Sequence, residues 1–152
     1  MATLYTALAT AQNDTTNVKN RAEGKDLTGN VVYAKGSFTT TATTAAADIL
    51  RIALLPKGAV VVPSLCRIDT EDLGTDISVK VGDLDTTADD DRYSTAVSLA
   101  TAGAKDFVSG VAGANAHALA SEAWITATIV DAGTISITAD RDVTFWIAYR
   151  MP

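Results

Sequence analysis

The side chains most capable of chemistry in this sequence are five closely spaced aspartates: Asp83, Asp85, Asp89, Asp90 and Asp91. Carboxylate oxygens are the ligands that Ca²⁺ prefers in proteins. The spacing differs from that of an EF-hand loop, because no glycine follows the third carboxylate and no glutamate closes the loop. We therefore predict no metal site and interpret the cluster as a solvated acidic loop or as a contact for a basic partner surface; a calcium site is the alternative.

Other reactive side chains are few. His117 and Cys66 are the single histidine and the single cysteine, which excludes an internal disulfide and a histidine-rich metal site. His117 lies in a Gly/Ala/Asn-rich stretch with no neighbouring nucleophile, and Cys66 occupies an apolar position that predicts a buried, unreactive thiol. The stretch Ser109–Gly113 contains neither a nucleophile elbow nor a phosphate-binding loop. The sequence therefore predicts no enzymatic activity and no cofactor.

The charge of the chain is negative and uneven. The 152 residues carry a formal net charge of −6, with a sequence pI near 4.5. Residues 69–91 hold nine acids against Lys80 alone, so this segment carries −8 and the remainder +2. Such a balance disfavours binding to nucleic acid. No apolar run approaches the roughly 18 residues of a membrane span, and the first residues do not resemble an export signal. We expect no nucleic-acid or membrane partner.

Short β-rich segments separated by turn residues dominate the rest of the sequence. Strands are predicted at Val31–Thr40, Ile49–Leu55, Val60–Ile68, Ile77–Val81, Ala123–Val130, Thr134–Ala139 and Val143–Arg150. Pro56-Lys57-Gly58 predicts a tight turn between two of them, and the last three strands predict an antiparallel meander. Asp91 is expected to cap one short helix that ends at Ala100.

These segments predict an all-β fold. Seven or eight short strands without crossover helices exclude a βαβ architecture. An antiparallel β-sandwich buries the apolar faces of two sheets, and the long connection between residues 83 and 120 favours a jelly-roll-like strand order. We expect this sandwich over residues 30–152, with Trp124 and Trp146 half-buried.

Alternation along the strands also predicts which residues share a face. Leu50, Ile52 and Leu54 are expected to lie on one face of their strand. Gly36 is expected to mark a bulge or the end of a strand, and Pro63 an edge strand or a bulge.

Residues 1–29 differ from the rest, because they sustain neither a strand period nor a helix period. We interpret them as an extended N-terminal arm whose apolar anchors are Leu4, Tyr5 and Leu8. Such an arm cannot offset its own ordering entropy alone, but it could do so when laid across a neighbouring subunit. These three residues are therefore the predicted interaction residues.

Two longer stretches carry a resemblance to a known family. In Ile52–Arg67 (IALLPKGAVVVPSLCR) a Leu-Pro-Lys-Gly-Ala turn opens an apolar strand. In Asp72–Tyr93 (DLGTDISVKVGDLDTTADDDRY) a strand ending in Val-Gly-Asp runs into an Asp-rich loop closed by Asp-Arg-Tyr. With the predicted terminal meander, these stretches resemble the head decoration (cement) proteins and related minor head proteins of tailed bacteriophages, which have a jelly-roll-like body. The resemblance covers about residues 48–150.

The resemblance implies a structural virion protein that is made in the host cytoplasm and binds the outer surface of the phage head. Its partner would be the major capsid protein, whose neighbouring subunits it would bridge as a homodimer or homotrimer. The alternative is a receptor- or carbohydrate-binding domain of a tail fibre or another surface protein, which would need exposed aromatic rings for sugar stacking. A cupin-type metalloenzyme would need several inward-facing histidines, and the chain has one.

Overall fold

The structure is a computed structural model that describes residues 3–5, 31–108 and 116–151. Ten strands and one short 3-10 helix are present in these parts of the chain. The strands are β1 (Thr3–Tyr5), β2 (Val31–Thr39), β3 (Ile49–Leu55), β4 (Val60–Val61), β5 (Arg67–Thr70), β6 (Gly74–Asp83), β7 (Asp89–Ser98), β8 (Gly103–Asp106), β9 (Ala123–Ile137) and β10 (Asp142–Arg150). The 3-10 helix, Pro63–Leu65, lies between β4 and β5.

The strands form two five-stranded sheets. The first sheet has the order β1-β3-β9-β6-β7; the second has the order β2-β10-β5-β8, with β4 also paired to β10. All neighbours are antiparallel except β1 and β3, which pair in parallel. The two sheets bury their apolar faces against each other, as period-two alternation requires. The predicted all-β, jelly-roll-like sandwich is confirmed.

The core comes from alternate residues on the inner faces of both sheets. The first sheet contributes Leu50, Ile77, Val79, Val81 and Ile125, and the second contributes Ile68, Val143, Phe145 and Ile147. The predicted tight turn is also confirmed, because the Ala59 N–H donates to the Pro56 carbonyl at 3.1 Å. Gly58 has a φ of 85° in this turn, a conformation that favours glycine. Trp124 and Trp146 are half-buried, as expected.

The predicted helix between Asp91 and Ala100 is wrong, because most of this segment is strand β7. Tyr93 and Val97 are both buried and lie four residues apart, a spacing that fits one face of a helix and one face of a strand equally well. Pairing with β6 decides between them, since Val97 lies opposite Val79 in the ladder.

The predicted terminal meander is wrong as well. Residues 123–137 form one strand, and β10 belongs to the other sheet. The register along β6 is interrupted between Ile77, which lies opposite Asp131, and Thr75, which lies opposite Ser136. The predicted turn Asp131-Ala132-Gly133 therefore falls in an irregularity of the ladder, and the chain then rejoins the same neighbour.

Three finer expectations also need correction. A bulge in β3 makes Ile52 the extra residue between Arg51 and Ala53, so Leu54 leaves the predicted face and is only half-buried. Gly36 marks neither a bulge nor a strand end, because it pairs with Phe145 inside an uninterrupted ladder. Pro63 begins the 3-10 helix, where its missing N–H costs no ladder hydrogen bond. The described residues contain no helix long and apolar enough to cross a membrane.

Candidate functional site

The five candidate aspartates divide into two groups. Asp83 ends β6, Asp85 lies in the loop after it, and Asp89, Asp90 and Asp91 begin β7. We call Asp83 and Asp85 the inner acidic pair, because both are buried, and Asp89–Asp91 the outer acidic trio. The expectation that all five lie in a solvated loop is therefore wrong for the inner pair.

A glycine allows the two strand ends to approach closely. A Cβ atom on Gly82 would lie 1.8 Å from the carbonyl oxygen of Asp89, so no larger residue fits there without a backbone shift. This close approach places the carboxylate of Asp83 beside Arg92 and Tyr93 of β7. Its Oδ2 accepts a hydrogen bond from the Tyr93 hydroxyl at 2.8 Å and lies 2.8 Å from Nε of Arg92. The relative exposure of Asp83 is only 1%.

Asp85 joins the β6–β7 loop to the segment that precedes β9. Its Oδ2 accepts the Ala120 N–H at 2.7 Å, and its Oδ1 accepts both the N–H and the hydroxyl of Ser121, at 3.2 and 2.9 Å. Burial of Asp85 raises the pKa of its carboxyl group, but hydrogen bonds from Ala120, Thr86 and Ser121 more than offset that effect and lower the pKa to about 2. Asp85 is therefore a charged anchor between two loops.

His117 reaches the same cluster from the segment before β9. Its Nε2 lies 3.7 Å from Oδ2 of Asp85 and 3.9 Å from Oδ2 of Asp83, and it makes no hydrogen bond. The Ser121 hydroxyl donates to Asp85 and not to His117, so the nucleophile–base contact of a hydrolase is not made. The sequence did not predict this meeting, because His117 and the inner acidic pair are more than thirty residues apart in the chain.

Tyr93 completes the buried part of the cluster. Burial raises the pKa of its hydroxyl group, and the negative charge of Asp83 raises it further. The hydroxyl therefore stays protonated and acts as a hydrogen-bond donor to Asp83. Arg92 also donates to the Thr87 carbonyl oxygen at 2.5 Å, which fixes the β6–β7 loop on its other side.

The outer acidic trio has a different environment. The three carboxylates lie within 4.8 Å of one another, and the side chain of Asp90 is 56% exposed. Lys80 Nζ lies 3.6 Å from a carboxylate oxygen of both Asp90 and Asp91. Asp89 Oδ1 accepts the Asp91 N–H at 3.2 Å, and its Oδ2 lies 4.0 Å from Arg92. The trio keeps a net negative charge at the surface, where a basic group could reach it.

A shallow groove of about 360 Å³ lies beside the outer acidic trio. Its lining combines acidic, apolar and threonine side chains: Ile49, Asp83, Leu84, Ala88, Asp89, Asp90, Thr126 and Thr128. A lining that combines aspartates with aliphatic groups matches the chemistry of a lysine or arginine side chain, whose stem is apolar and whose head is charged.

The two tryptophans test the sugar-stacking alternative. Lys35 Nζ lies 5.0 Å from the ring centroid of Trp146, and the Arg51 guanidinium carbon lies 5.5 Å from that of Trp124. Trp146 Nε1 also donates to Asp69 at 2.8 Å. A cation thus lies over one face of each ring, an arrangement that favours cation–π packing within the chain over an open platform for a sugar.

The remaining candidate residues lie elsewhere. Leu4 and Tyr5 belong to β1, where Leu4 lies opposite the buried Leu50 and Tyr5 opposite Arg51. Leu8 lies outside the described residues, so the interaction role of these anchors stays a prediction. Cys66 is buried, as predicted; burial raises the pKa of its thiol to about 12 even though Ala148 N–H donates to the sulfur at 3.2 Å. A thiol with this pKa is unreactive at neutral pH.

The chain matches known proteins among the solved structures. No protein-family model matches the chain, and no curated protein matches it. A chain from the capsid of Ralstonia phage GP4 is similar over 99% of both chains, with a TM-score of 0.73 and 21% identity. A chain from the capsid asymmetric unit of cyanophage Pam1 is similar over 86% of this chain and 91% of that chain, with a TM-score of 0.61 and 25% identity. The fold is therefore one that occurs in phage capsids.

Proposed function

We propose that the protein is a structural, non-enzymatic component of a phage virion that binds the outer surface of the head and bridges subunits of the major capsid protein. The observation that carries this proposal is the nearly full-length similarity to chains of two phage capsids. The resemblance of the sequence to cement proteins supports the finer role. This role implies that the protein is synthesised in the host cytoplasm and is then placed on the capsid surface.

The chemistry of the described residues supports a binding role over catalysis. His117 contacts no nucleophile, and the inner acidic pair is held by hydrogen bonds within the chain. The outer acidic trio and the adjoining groove lie at the surface and carry excess negative charge. A basic side chain of the major capsid protein would complement that charge, and we assign the trio to this contact.

The physical gain comes from mass action. A protein that binds the assembled shell but not its separated subunits lowers the free energy of the shell and raises its resistance to heat. Several copies that are linked as a homo-oligomer, a dimer or a trimer, would strengthen the effect because each added contact is then intramolecular. The arm anchored by Leu4, Tyr5 and Leu8 would add contacts between neighbouring copies.

The test uses capsids that lack this protein. Purified full-length protein should co-sediment with such shells and raise their melting temperature, and the binding should weaken as salt concentration rises. The Asp89→Asn/Asp90→Asn/Asp91→Asn variant should bind more weakly with a smaller salt dependence. A matched control is Asp140→Asn, which removes an exposed charge outside the trio. Failure of the unmodified protein to bind shells would contradict the proposal, and specific binding on a glycan array would favour the receptor-binding alternative.

A further inference from the structure

The groove beside the outer acidic trio lies on the outer face of the first sheet. In β9, Ile125 and Ala127 point into the core, so alternation places Thr126 on the opposite face. Gly82 of β6 lies opposite Thr126 in the ladder, and the backbone of Asp89 packs directly against that glycine. The beginning of β7 therefore stands beside Thr126 and forms one wall of the groove.

Thr126 differs from the other buried residues that carry a hydroxyl group. Its relative exposure is 2%, and its side chain forms no hydrogen bond with another described residue. Every other buried serine or threonine that the structure describes does form one: Thr40, Thr44, Thr70 and Ser94. Buried polar groups almost always have a hydrogen-bond partner. An unused hydroxyl in the lining of a groove therefore points to a partner that enters the groove from outside.

The groove also carries uncompensated negative charge. Its lining contains three carboxylates, those of Asp83, Asp89 and Asp90, and no lysine or arginine. Among the described residues, Lys80 and Arg92 are the lysine and the arginine that lie within 4.0 Å of a carboxylate of the inner pair or the outer trio. Two cations cannot neutralise five carboxylates, so the groove attracts a further positive charge.

The rest of the lining is largely aliphatic, and the groove is small. Ile49, Leu84 and Ala88 contribute the aliphatic groups, and Leu84 is 40% exposed. The volume of about 360 Å³ lies near the lower limit of ligand pockets, which is about 300 Å³. Such a groove has room for one side chain with an aliphatic stem and a cationic head.

We propose that this groove is the binding site for a single arginine side chain of the major capsid protein. The stem of the arginine packs against the aliphatic part of the lining. Its guanidinium group donates hydrogen bonds to the Thr126 hydroxyl and to the carboxylates of Asp89 and Asp90. This inference rests on the proposed function and narrows it, because it assigns the contact to two members of the trio and to one uncharged residue of β9.

Arginine fits this site better than lysine for two reasons. Its planar head carries five N–H donors and can serve several acceptors at once, here a hydroxyl and two carboxylates. A guanidinium group is also more weakly hydrated than an ammonium group, so it loses less when it reaches a residue that is almost completely buried. Arginine is enriched in protein–protein interfaces as well.

A peptide titration of the purified full-length protein, without capsids, tests the site. The probe is N-acetyl-Ala-Arg-Ala-amide, and its matched controls carry citrulline or lysine in place of arginine. Amide chemical shifts of the ¹⁵N-labelled protein should change saturably at Thr126, Asp89 and the neighbouring lining residues. The arginine peptide should bind at least about tenfold more tightly than the citrulline peptide, which has nearly the same shape but no charge. The lysine peptide should bind more weakly than the arginine peptide.

The Thr126→Val variant separates a binding role from a structural one. Valine keeps the branched shape and the strand preference of threonine but lacks the hydroxyl. The dissociation constant of the arginine peptide should rise about fivefold. The unfolding free energy should not fall, because no hydrogen bond between described residues is lost. Thr70→Val is the matched control: it removes a hydroxyl that donates to the Glu71 carbonyl oxygen, so it should lower the unfolding free energy and leave peptide binding unchanged.

A pair of charge variants separates the groove from general electrostatics. Asp90→Asn removes a carboxylate from the lining, whereas Asp91→Asn removes the same charge from a trio residue outside the lining. The two variants have equal net charge, so a difference between them is not a long-range effect. Asp90→Asn should weaken binding of the arginine peptide about tenfold, and Asp91→Asn less than about threefold.

Three outcomes would overturn the inference: no saturable shift change at the groove, equal binding of the arginine peptide and either control peptide, or a Thr126→Val variant that binds the arginine peptide like the parent. Binding to shells tests the proposed function separately. If the parent and Thr126→Val bind shells equally well and the peptide leaves the groove unchanged, the arginine site is wrong and the function stands. If the peptide occupies the groove but the parent does not bind shells, the arginine site stands and its assignment to the major capsid protein falls with the proposed function.

Discussion

The inner acidic pair and the outer acidic trio consist of the same residue type within nine positions of the sequence, yet they have opposite environments. Asp83 and Asp85 are almost completely buried, and both receive strong hydrogen bonds or ion pairs from other elements. Asp90 is largely exposed, and its carboxylate lies 3.6 Å from Nζ of Lys80. A buried carboxylate without partners would be strongly unfavourable, so the donors around the inner pair are what allow its burial.

This difference separates two roles that a run of aspartates does not distinguish. The inner pair connects the β6–β7 loop to β7 and to the segment before β9, and so it stabilises the fold. The outer trio contributes little to the fold, because exposed ion pairs are screened by water and salt. It remains available for a partner. Substitutions in the two groups should therefore affect different measurements.

The largest expected effect is that of Asp83→Ala. The substitution leaves Arg92 and the Tyr93 hydroxyl in a buried site without their anionic partner, and breaking a buried pair in this way costs about 3 kcal/mol or more of unfolding free energy. Asp90→Ala is the matched control and should change the unfolding free energy by less than about 0.5 kcal/mol. Urea unfolding of both variants measures the difference. Equal effects would contradict the division into an inner and an outer group.

The next effect concerns acid stability and Asp85. The pKa of its carboxyl group is about 2 in the folded protein and about 3.9 in an unfolded chain, so the unfolded state binds the proton first as pH falls. The stabilisation, about 2 kcal/mol, is complete above pH 4 and is lost as pH falls towards 2. Unfolding free energies of the parent and Asp85→Asn, measured from pH 7 to pH 2, should differ at neutral pH and converge in acid. A constant difference would contradict the assigned role.

A smaller effect is expected for Tyr93→Phe. The substitution removes one hydrogen bond to Asp83 and leaves the Arg92 contact and the packing of the ring in place. The unfolding free energy should fall by about 1.5 kcal/mol, the lower end of the range for a hydrogen bond to a charged group, because Asp83 keeps its contact with Arg92. Chemical denaturation measures this loss. A cost as large as that of Asp83→Ala would show that the hydroxyl and not Arg92 holds the aspartate.

The smallest effect on stability is expected for calcium and the outer acidic trio. Millimolar Ca²⁺ should leave the melting temperature of the parent unchanged relative to Na⁺ at matched ionic strength. The reason is that the ammonium group of Lys80 already lies beside two of the three carboxylates and offsets part of their charge. Scanning calorimetry with and without a chelator measures this. A calcium-dependent rise that disappears in Asp89→Asn/Asp90→Asn/Asp91→Asn would identify a metal site instead.

The sequence was sufficient for the fold class because alternation in the core strands is regular. Residues such as Ile77, Val79 and Val81 alternate with polar neighbours and become buried as predicted. The errors arose where two structures share a local pattern. Tyr93 and Val97 fit both a helix and a strand, and Asp131-Ala132-Gly133 has the composition of a hairpin turn. In each case the long-range pairing with β6 decides the outcome, and no local pattern contains that information.

The sequence predicted which aspartates belong to the candidate site, but it did not predict how they are arranged. The aspartates were identified, but their division into a buried and an exposed group depends on contacts with Ala120, Ser121 and His117, all far along the chain. The position of β2 as an outer strand, within the described residues, was missed for a related reason: whether a strand is central or outer follows from the order of the sheets. Exposed Val31 and Tyr33 look in the sequence like ordinary strand residues.

The position of the last two strands has a consequence for how the protein is made. β9 lies between β3 and β6 in one sheet, and β10 lies between β2 and β5 in the other. Ser37 of β2 therefore meets Thr144, 107 residues later, and the earliest strands have no complete sheet to join during most of translation. The two sheets can be completed only after residues up to about 150 leave the ribosome, and such non-local pairing is slow, on a scale of milliseconds to seconds. Strand edges stay unpaired until that point, and species with unpaired edges are prone to aggregation.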